Sequence, residues 1–243
     1  MSITLFGTCR IDGISGHNNL NNILNYTHST KEVIQLIKFL KDDIEIPHPY
    51  NTLCFRTAII DKNPMGRNPE ISSEDSITLL DEHKNNFKNS DFFVIEISSN
   101  KKYIHKDYYL HHLCVDERFK WFNLKLPDQF MRELIVEKQD DSEIEKDILE
   151  IVRLLSPKKM LFVSHYNSVL NGSFIPQRNN IINLLEKICK RHNLDFVNPT
   201  ELLSQYEQEK VITEDLGHYT EFGLEKVSEL LTEIVKKKNN SNL

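Results

Sequence analysis

Short apolar runs rich in β-branched and aromatic residues alternate with amphipathic stretches along nearly the whole chain. That alternation restricts the fold more than any other feature. Runs with strand character are Ile3–Phe6, Leu53–Ile60, Phe92–Ile97, Met160–Ser164 and Asp195–Val197. Between them lie helical patterns over Ser29–Lys41, Glu74–Asn86, Ser142–Leu155, Arg178–His192 and Glu221–Lys237. In the first of these, Ser29 and Glu32 are spaced as a capping box, and Val33, Ile34, Ile37 and Leu40 share one face. Strands separated by helices need crossover connections, which favour parallel pairing and a sheet covered on both faces. The expectation is one α/β domain over residues 1–243, a three-layer α/β/α sandwich around a five-stranded parallel sheet.

The 243 residues suffice for one such domain with a full core, and 39% hydrophobic with 27% charged residues suits a soluble globule. A net charge of −6 provides no overall field for nucleic acid, so none is expected as a partner. The basic run Lys236-Lys237-Lys238 reads as the end of the last helix, where cations suit the dipole. Cys9, Cys54, Cys114 and Cys189 are widely spaced without a Cys-x-x-Cys pair. The first residues have no basic region and too short an apolar run for a signal peptide, and no segment approaches the length of a membrane span. The expected setting is cytoplasmic, with reduced thiols and no membrane partner. Pro47–Tyr50 and Lys62–Pro69 read as loops. The irregular stretch 103–139, which contains Trp121, reads as an insertion with short helices over the strand ends, where open α/β sheets bind ligands.

The chemistry is concentrated at the two ends. Asp215-Leu216-Gly217-His218 places a carboxylate three residues before a histidine, just ahead of the last helix. Such a carboxylate can hold one ring nitrogen and leave the other to take a proton. At the other end, Ile3–Phe6 runs straight into Gly7-Thr8-Cys9-Arg10, the layout that lifts a reactive side chain above a sheet. Cys9 is then a nucleophile, with Thr8 as the fallback; the alternative is an ordinary buried cysteine. Asp215 and His218 could instead be a helix cap and a surface histidine.

These two motifs resemble those of the SGNH/GDSL hydrolase superfamily, in which a strand ends in Gly-Asp-Ser and Asp-x-x-His introduces the last helix. With Cys9 in the first motif, the chain looks closer to the GSCFA-type and polysaccharide-biosynthesis acyltransferase branch. The resemblance implies a flavodoxin-like SGNH fold and acyl chemistry, as an esterase, a deacetylase or an acyltransferase. It implies catalytic roles for Cys9, His218 and Asp215. It also matches Ser98-Ser99-Asn100-Lys101 to a Gly-x-Asn-Asp block, which would make Asn100 an oxyanion donor. Ser98 and Lys101 depart from that block, and Asn100 could simply close a turn. The remaining motif glycine has no match as sharp; Gly66, in the loop after the second strand, is a guess.

Other residues could meet substrate. Arg10 could bind an anionic group, and Arg56 is a charge inside an apolar run that must find a partner or ligand. His165 and Asn167 follow the fourth strand at its carboxyl edge, and Arg178 lies at a helix start. His111, His112 and Cys114 invite a metal reading, but no second ligand pair at matching spacing follows, so neither metal nor cofactor is expected. Two function classes stay open. One is an acyl enzyme with a small-molecule or glycan substrate and an acyl donor; the other is a non-catalytic binding domain with a vestigial site. The oligomeric state is not legible.

Overall fold

The computed structural model describes residues 1–11, 22–47, 50, 54, 73–112 and 132–240. The chain divides into two compact units. One comprises residues 1–24, 89–99 and 155–243, and the other comprises residues 25–88 and 100–154.

The first unit is built on a five-stranded sheet. Its strands are β1 (Ile3–Gly7), β2 (Asn22–Tyr26), β3 (Phe92–Ile97), β7 (Lys159–Ser164) and β10 (Phe196–Val197), in the order β2-β1-β3-β7-β10. The β1–β3, β3–β7 and β7–β10 pairings are all parallel, with Ile3 opposite Phe92, Phe92 opposite Lys159 and Phe196 opposite Phe162. Every residue of β1 and β3 is buried, which explains their mainly apolar character, broken only by Thr4 and Glu96: a strand covered on both faces has no solvent side to show. Helix α4 (Pro176–Arg191) packs on β7 and β10. Helix α7 (Glu221–Asn240) puts Val227, Leu231 and Val235 into one core with Ile3, Leu5, Phe92, Val94, Leu161 and Val163. Between β7 and α4 runs the hairpin β8 (Val169–Leu170) and β9 (Ser173–Phe174), and between β10 and α7 lie the short helices α5 (Pro199–Leu202) and α6 (Gln208–Val211).

Four of the expected strands are present. The other, Leu53–Ile60, lies outside the described residues except for Cys54, which is helical and buried, and the fifth strand of the sheet is β2 at Asn22–Tyr26. The run Asn22-Ile23-Leu24-Asn25-Tyr26 is flanked by Asn residues that read as loop, so composition hid it.

The second unit contains α1 (Thr30–Leu40), α2 (Ser73–Lys88), α3 (Asp141–Leu155) and a small antiparallel sheet. That sheet has the order β5-β4-β6, from β4 (Lys101–His105), β5 (Tyr108–Tyr109) and β6 (Ile135–Lys138). The described part of the 103–139 stretch therefore contains more strand than short helix. The capping box of α1 forms as read: the Glu32 N–H donates to Ser29 Oγ and the Ser29 N–H to Glu32 Oε2 at 2.7 Å. Buried Asp147 of α3 ties the helices together. It accepts from Thr30 Oγ1 and Gln139 Nε2, both at 2.7 Å, and pairs with Lys31 at 2.8 Å. Among the described residues no helix is long and apolar enough to cross a membrane.

One glycine decides how α7 begins. A Cβ built on Gly223 would lie 2.1 Å from the carbonyl oxygen of Val211, at the end of α6. That oxygen already accepts the Thr220 N–H at 3.0 Å, and Thr220 Oγ1 caps the helix by accepting the Gly223 N–H at 3.0 Å. Gly223→Ala is expected to destabilise the protein by about 1–3 kcal/mol, the usual cost of overpacking. Urea unfolding of the variant against wild type checks this; an unchanged midpoint would show that α7 tilts away freely.

Candidate active site

The first unit brings the two ends of the chain together. After β1 the backbone passes through Gly7 and turns helical at Cys9, Arg10 and Ile11. The turn is held by a buried carboxylate on the neighbouring strand. Glu96 Oε2 accepts the Thr8 N–H at 2.8 Å and the Thr8 hydroxyl at 2.7 Å, and Glu96 is only 2% exposed. Gly7 makes that approach possible: a Cβ there would lie 2.7 Å from Glu96 Cβ and 2.9 Å from Ile11 Cγ1. Thr8 in turn accepts from Arg10, from its N–H at 3.3 Å and from its Nη1 at 3.1 Å. Its hydroxyl is fully engaged in shaping the turn. Cys9 itself is partly exposed.

The second motif forms a closed loop between Ile212 and Tyr219, which pair as an isolated antiparallel bridge. Asp215 organises it. Its Oδ1 accepts from the Gly217 N–H at 2.7 Å, the His218 N–H at 3.0 Å and Thr213 Oγ1 at 2.7 Å, and its Oδ2 meets His218 Nδ1 at 2.6 Å. Burial opposes the charge, but these four hydrogen bonds outweigh it and hold the Asp215 carboxyl well below the usual carboxylate range. Side-chain exposures of 56% for His218 and 54% for Asp215 show that the dyad is open to solvent. A surface cleft of about 850 Å³ adjoins it, lined by Gln208, Ile212, Thr213, Asp215, Leu216, His218 and neighbours.

Leu216, within the motif, has the left-handed φ of 56°, which costs a side-chain-bearing residue about 1 kcal/mol or more. Its carbonyl is the anchor that compensates. It accepts from Ser168 Oγ at 3.0 Å and from Arg178 Nη1, and Arg178 also reaches Ser168 Oγ at 3.3 Å. Burial and then the nearby Arg10 guanidinium lower the pKa of Arg178, and Asp215 partly restores it. Tyr219 reports the same proximity: burial and then Glu96 push its hydroxyl pKa up, and Arg10 pulls the other way. The Cys9 turn and the Asp215–His218 loop thus share one electrostatic neighbourhood. Ile11, Tyr166, Ile212 and Tyr219 also share one core.

The other sequence candidates fall as follows. His165 and Asn167 follow β7 and are buried; His165 Nδ1 lies 2.6 Å from the Tyr166 carbonyl, and the Asn167 N–H donates to Thr200 Oγ1 at 2.7 Å. Asn167 Nδ2 reaches Asn179 at 3.3 Å, while its buried Oδ1 accepts no hydrogen bond. Asn100 belongs to the second unit, where its carbonyl accepts the Gln139 N–H at 2.7 Å. Arg56, Gly66, Cys114 and Trp121 lie outside the described residues. Glu96 is what the motif reading missed. The signal was available, because a carboxylate inside the apolar run Phe92–Ile97 must be bound to something.

The profile of the TviD N-terminal domain family matches residues 1–126 and 122–233. The chain is 25% identical over 288 residues to the Vi polysaccharide biosynthesis protein TviD of Salmonella typhi, covering 99% of this chain and 32% of that protein. It therefore spans about a third of the length of that relative. Among solved structures, a Bacteroides fragilis protein assigned as an acylhydrolase is 10% identical, with 98% of this chain and 87% of that one covered at a TM-score of 0.49. A lipase/acylhydrolase of Enterococcus faecalis is 13% identical, with 98% and 97% covered at a TM-score of 0.45.

Two outcomes follow from this geometry. Iodoacetamide at neutral pH should alkylate Cys9 well before Cys54 and Cys189, which are buried; burial pushes the Cys189 thiol up to about 12. Peptide mapping of the labelled protein reads the order, and labelling of Cys9 no faster than Cys189 would contradict it. Asp215 has a folded pKa below its unfolded value, so its contribution to stability is complete at neutral pH. That contribution is lost only as pH falls from the unfolded carboxylate value through the depressed folded one. Asp215→Asn should therefore flatten the acid side of a stability-against-pH curve, measured by thermal melting, and a slope identical to wild type would remove Asp215 as its source.

Proposed function

We propose, for a chain that belongs to the TviD N-terminal domain family, an acyl-group enzyme acting on carbohydrate through Cys9, His218 and Asp215. The observation that carries this reading is the Asp215–His218 pair. A carboxylate whose Oδ1 already accepts three hydrogen bonds meets Nδ1 through Oδ2 at 2.6 Å, which fixes the tautomer and leaves Nε2 for proton transfer. His218 removes the thiol proton, and the Cys9 sulfur attacks the carbonyl carbon of an ester or thioester. The leaving oxygen or sulfur takes the proton back from His218, and an acyl-Cys9 thioester remains. A hydroxyl then enters, gives its proton to His218 and attacks the thioester, and Cys9 departs as the thiol. Arg10, the residue after the nucleophile, supplies a cation that favours the thiolate. Backbone N–H groups at the helical turn from Cys9 are the oxyanion donors of this scheme.

The acceptor decides the reaction class. Water makes the protein an esterase or deacetylase; a sugar hydroxyl makes it an acyltransferase. The relative from Salmonella typhi is named for polysaccharide biosynthesis, which supports a glycan as substrate and transfer as the direction. A cytoplasmic setting suits a thiol nucleophile, and Cys9, Cys54 and Cys189 form no disulfide with one another.

The test is release of acetate from an activated ester by purified protein, with and without oligosaccharide acceptors. Cys9→Ala and His218→Ala should each lose at least about 10³-fold in kcat, and the double variant should be little worse than either, as for residues that act as a unit. Asp215→Asn should retain weak activity, and Cys9→Ser partial activity. Turnover that survives Cys9→Ala would end the nucleophile assignment. Absence of turnover on any ester, with or without acceptors, would put the binding-domain reading ahead.

A further inference from the structure

In the second unit, three histidines from two separated stretches meet. The donor atoms of His28, His111 and His112 all lie within 4.8 Å of one another. The rings are close-packed: His28 meets His111 edge-on at 4.9 Å and His112 at 4.3 Å between centroids, and His111 and His112 stack at 4.6 Å. His111 is fully buried, and His28, at 21% exposure, and His112 are partly buried. Three imidazoles so placed bring three nitrogen ligand atoms within reach of a single ion. An ion at the centre of the triangle lies no more than about 2.8 Å from each donor, so shifts of about 0.7 Å would give the roughly 2.0–2.1 Å of a zinc–imidazole bond.

The surroundings fit a dication. Glu32 is buried, and its Oε1, which accepts no hydrogen bond, lies 3.9 Å from His28 Nδ1. Its other oxygen, Oε2, is taken up by the Ser29 N–H, the Ser29 hydroxyl and the His28 N–H. A carboxylate facing one nitrogen of a ligating histidine orients the other toward a metal and adds negative charge. The frame is rigid as well. Gln35 of α1 clamps the backbone of Tyr109, donating to its carbonyl at 2.8 Å and accepting its N–H at 2.9 Å, which fixes the strand leading into His111 and His112 beside the start of α1.

We infer that His28, His111 and His112 form a binding site for one zinc-class transition-metal ion, with Glu32 as the carboxylate behind His28. The sequence hid it because His28 lies more than 80 residues before the other two, so no ligand spacing shows.

Chelator-stripped full-length protein dialysed against Zn²⁺ should take up one ion per chain, and Co²⁺ should give the visible spectrum of a nitrogen-ligated site without a thiolate charge-transfer band. His28→Gln and His112→Gln should each abolish that uptake. Glu32→Gln can still complete the capping box, so it should fold, and it should weaken binding about 10–100-fold. Cys9→Ala should leave the stoichiometry at one. The inference is overturned if folded wild type takes up no ion, if uptake survives all three substitutions, or if the Co²⁺ spectrum carries a thiolate band. The wild-type uptake and spectrum decide the matter even where a histidine variant fails to fold, and no readout depends on esterase activity.

Discussion

A buried carboxylate on the central strand carries the architecture of the proposed acyl site. Glu96 sits at the end of β3 with 2% exposure, where an unpaired charge would be costly, and it is satisfied by the N–H and hydroxyl of Thr8. Those two bonds fix the backbone immediately before Cys9. They require Gly7, because any Cβ at that position would collide with Glu96 itself. The strand, the glycine, the threonine and the carboxylate are one device, and the cysteine is placed by it. Arg10, held on the Thr8 hydroxyl, brings positive charge back into the same neighbourhood.

The C-terminal half of the site follows a different principle. Its loop is irregular and includes a leucine in the left-handed region, so it needs external anchors. Arg178 and Ser168 provide them at the Leu216 carbonyl, while Asp215 saturates the loop from within. The result is a histidine whose ring is fixed through Nδ1 although its side chain is more than half exposed.

Much of this was legible in the sequence, and the gaps have physical causes. Strands β1, β3 and β7 were plain because parallel strands buried on both faces read as continuous apolar runs. The α1 cap was plain because Ser29 and Glu32 act locally. The edge strand Asn22–Tyr26 was not, since an edge needs less apolar character and Asn masks it. The extended strands within 103–139 were hidden because β4 and β6 are short, with β4 mostly half-buried and the whole of β6 facing solvent. At the site, Asp215 and His218 are three residues apart and visible as a motif. Glu96 and Arg178 act across 88 and 38 residues, and only the fold reveals such partners. The resemblance to SGNH/GDSL enzymes rested on two motifs, and the membership of the TviD N-terminal domain family now supports its polysaccharide-biosynthesis branch.

The central claim is that a covalent acyl group passes through Cys9. Mass spectrometry of wild-type protein quenched in acid during turnover of an acetyl donor addresses it directly. The account predicts a mass increase of one acetyl group, located by peptide mapping on Cys9 and discharged when oligosaccharide acceptor is added before the quench. An acetyl group found on another residue, or steady turnover with no adduct at any time after mixing while the Cys9→Ala variant still turns over, would contradict it.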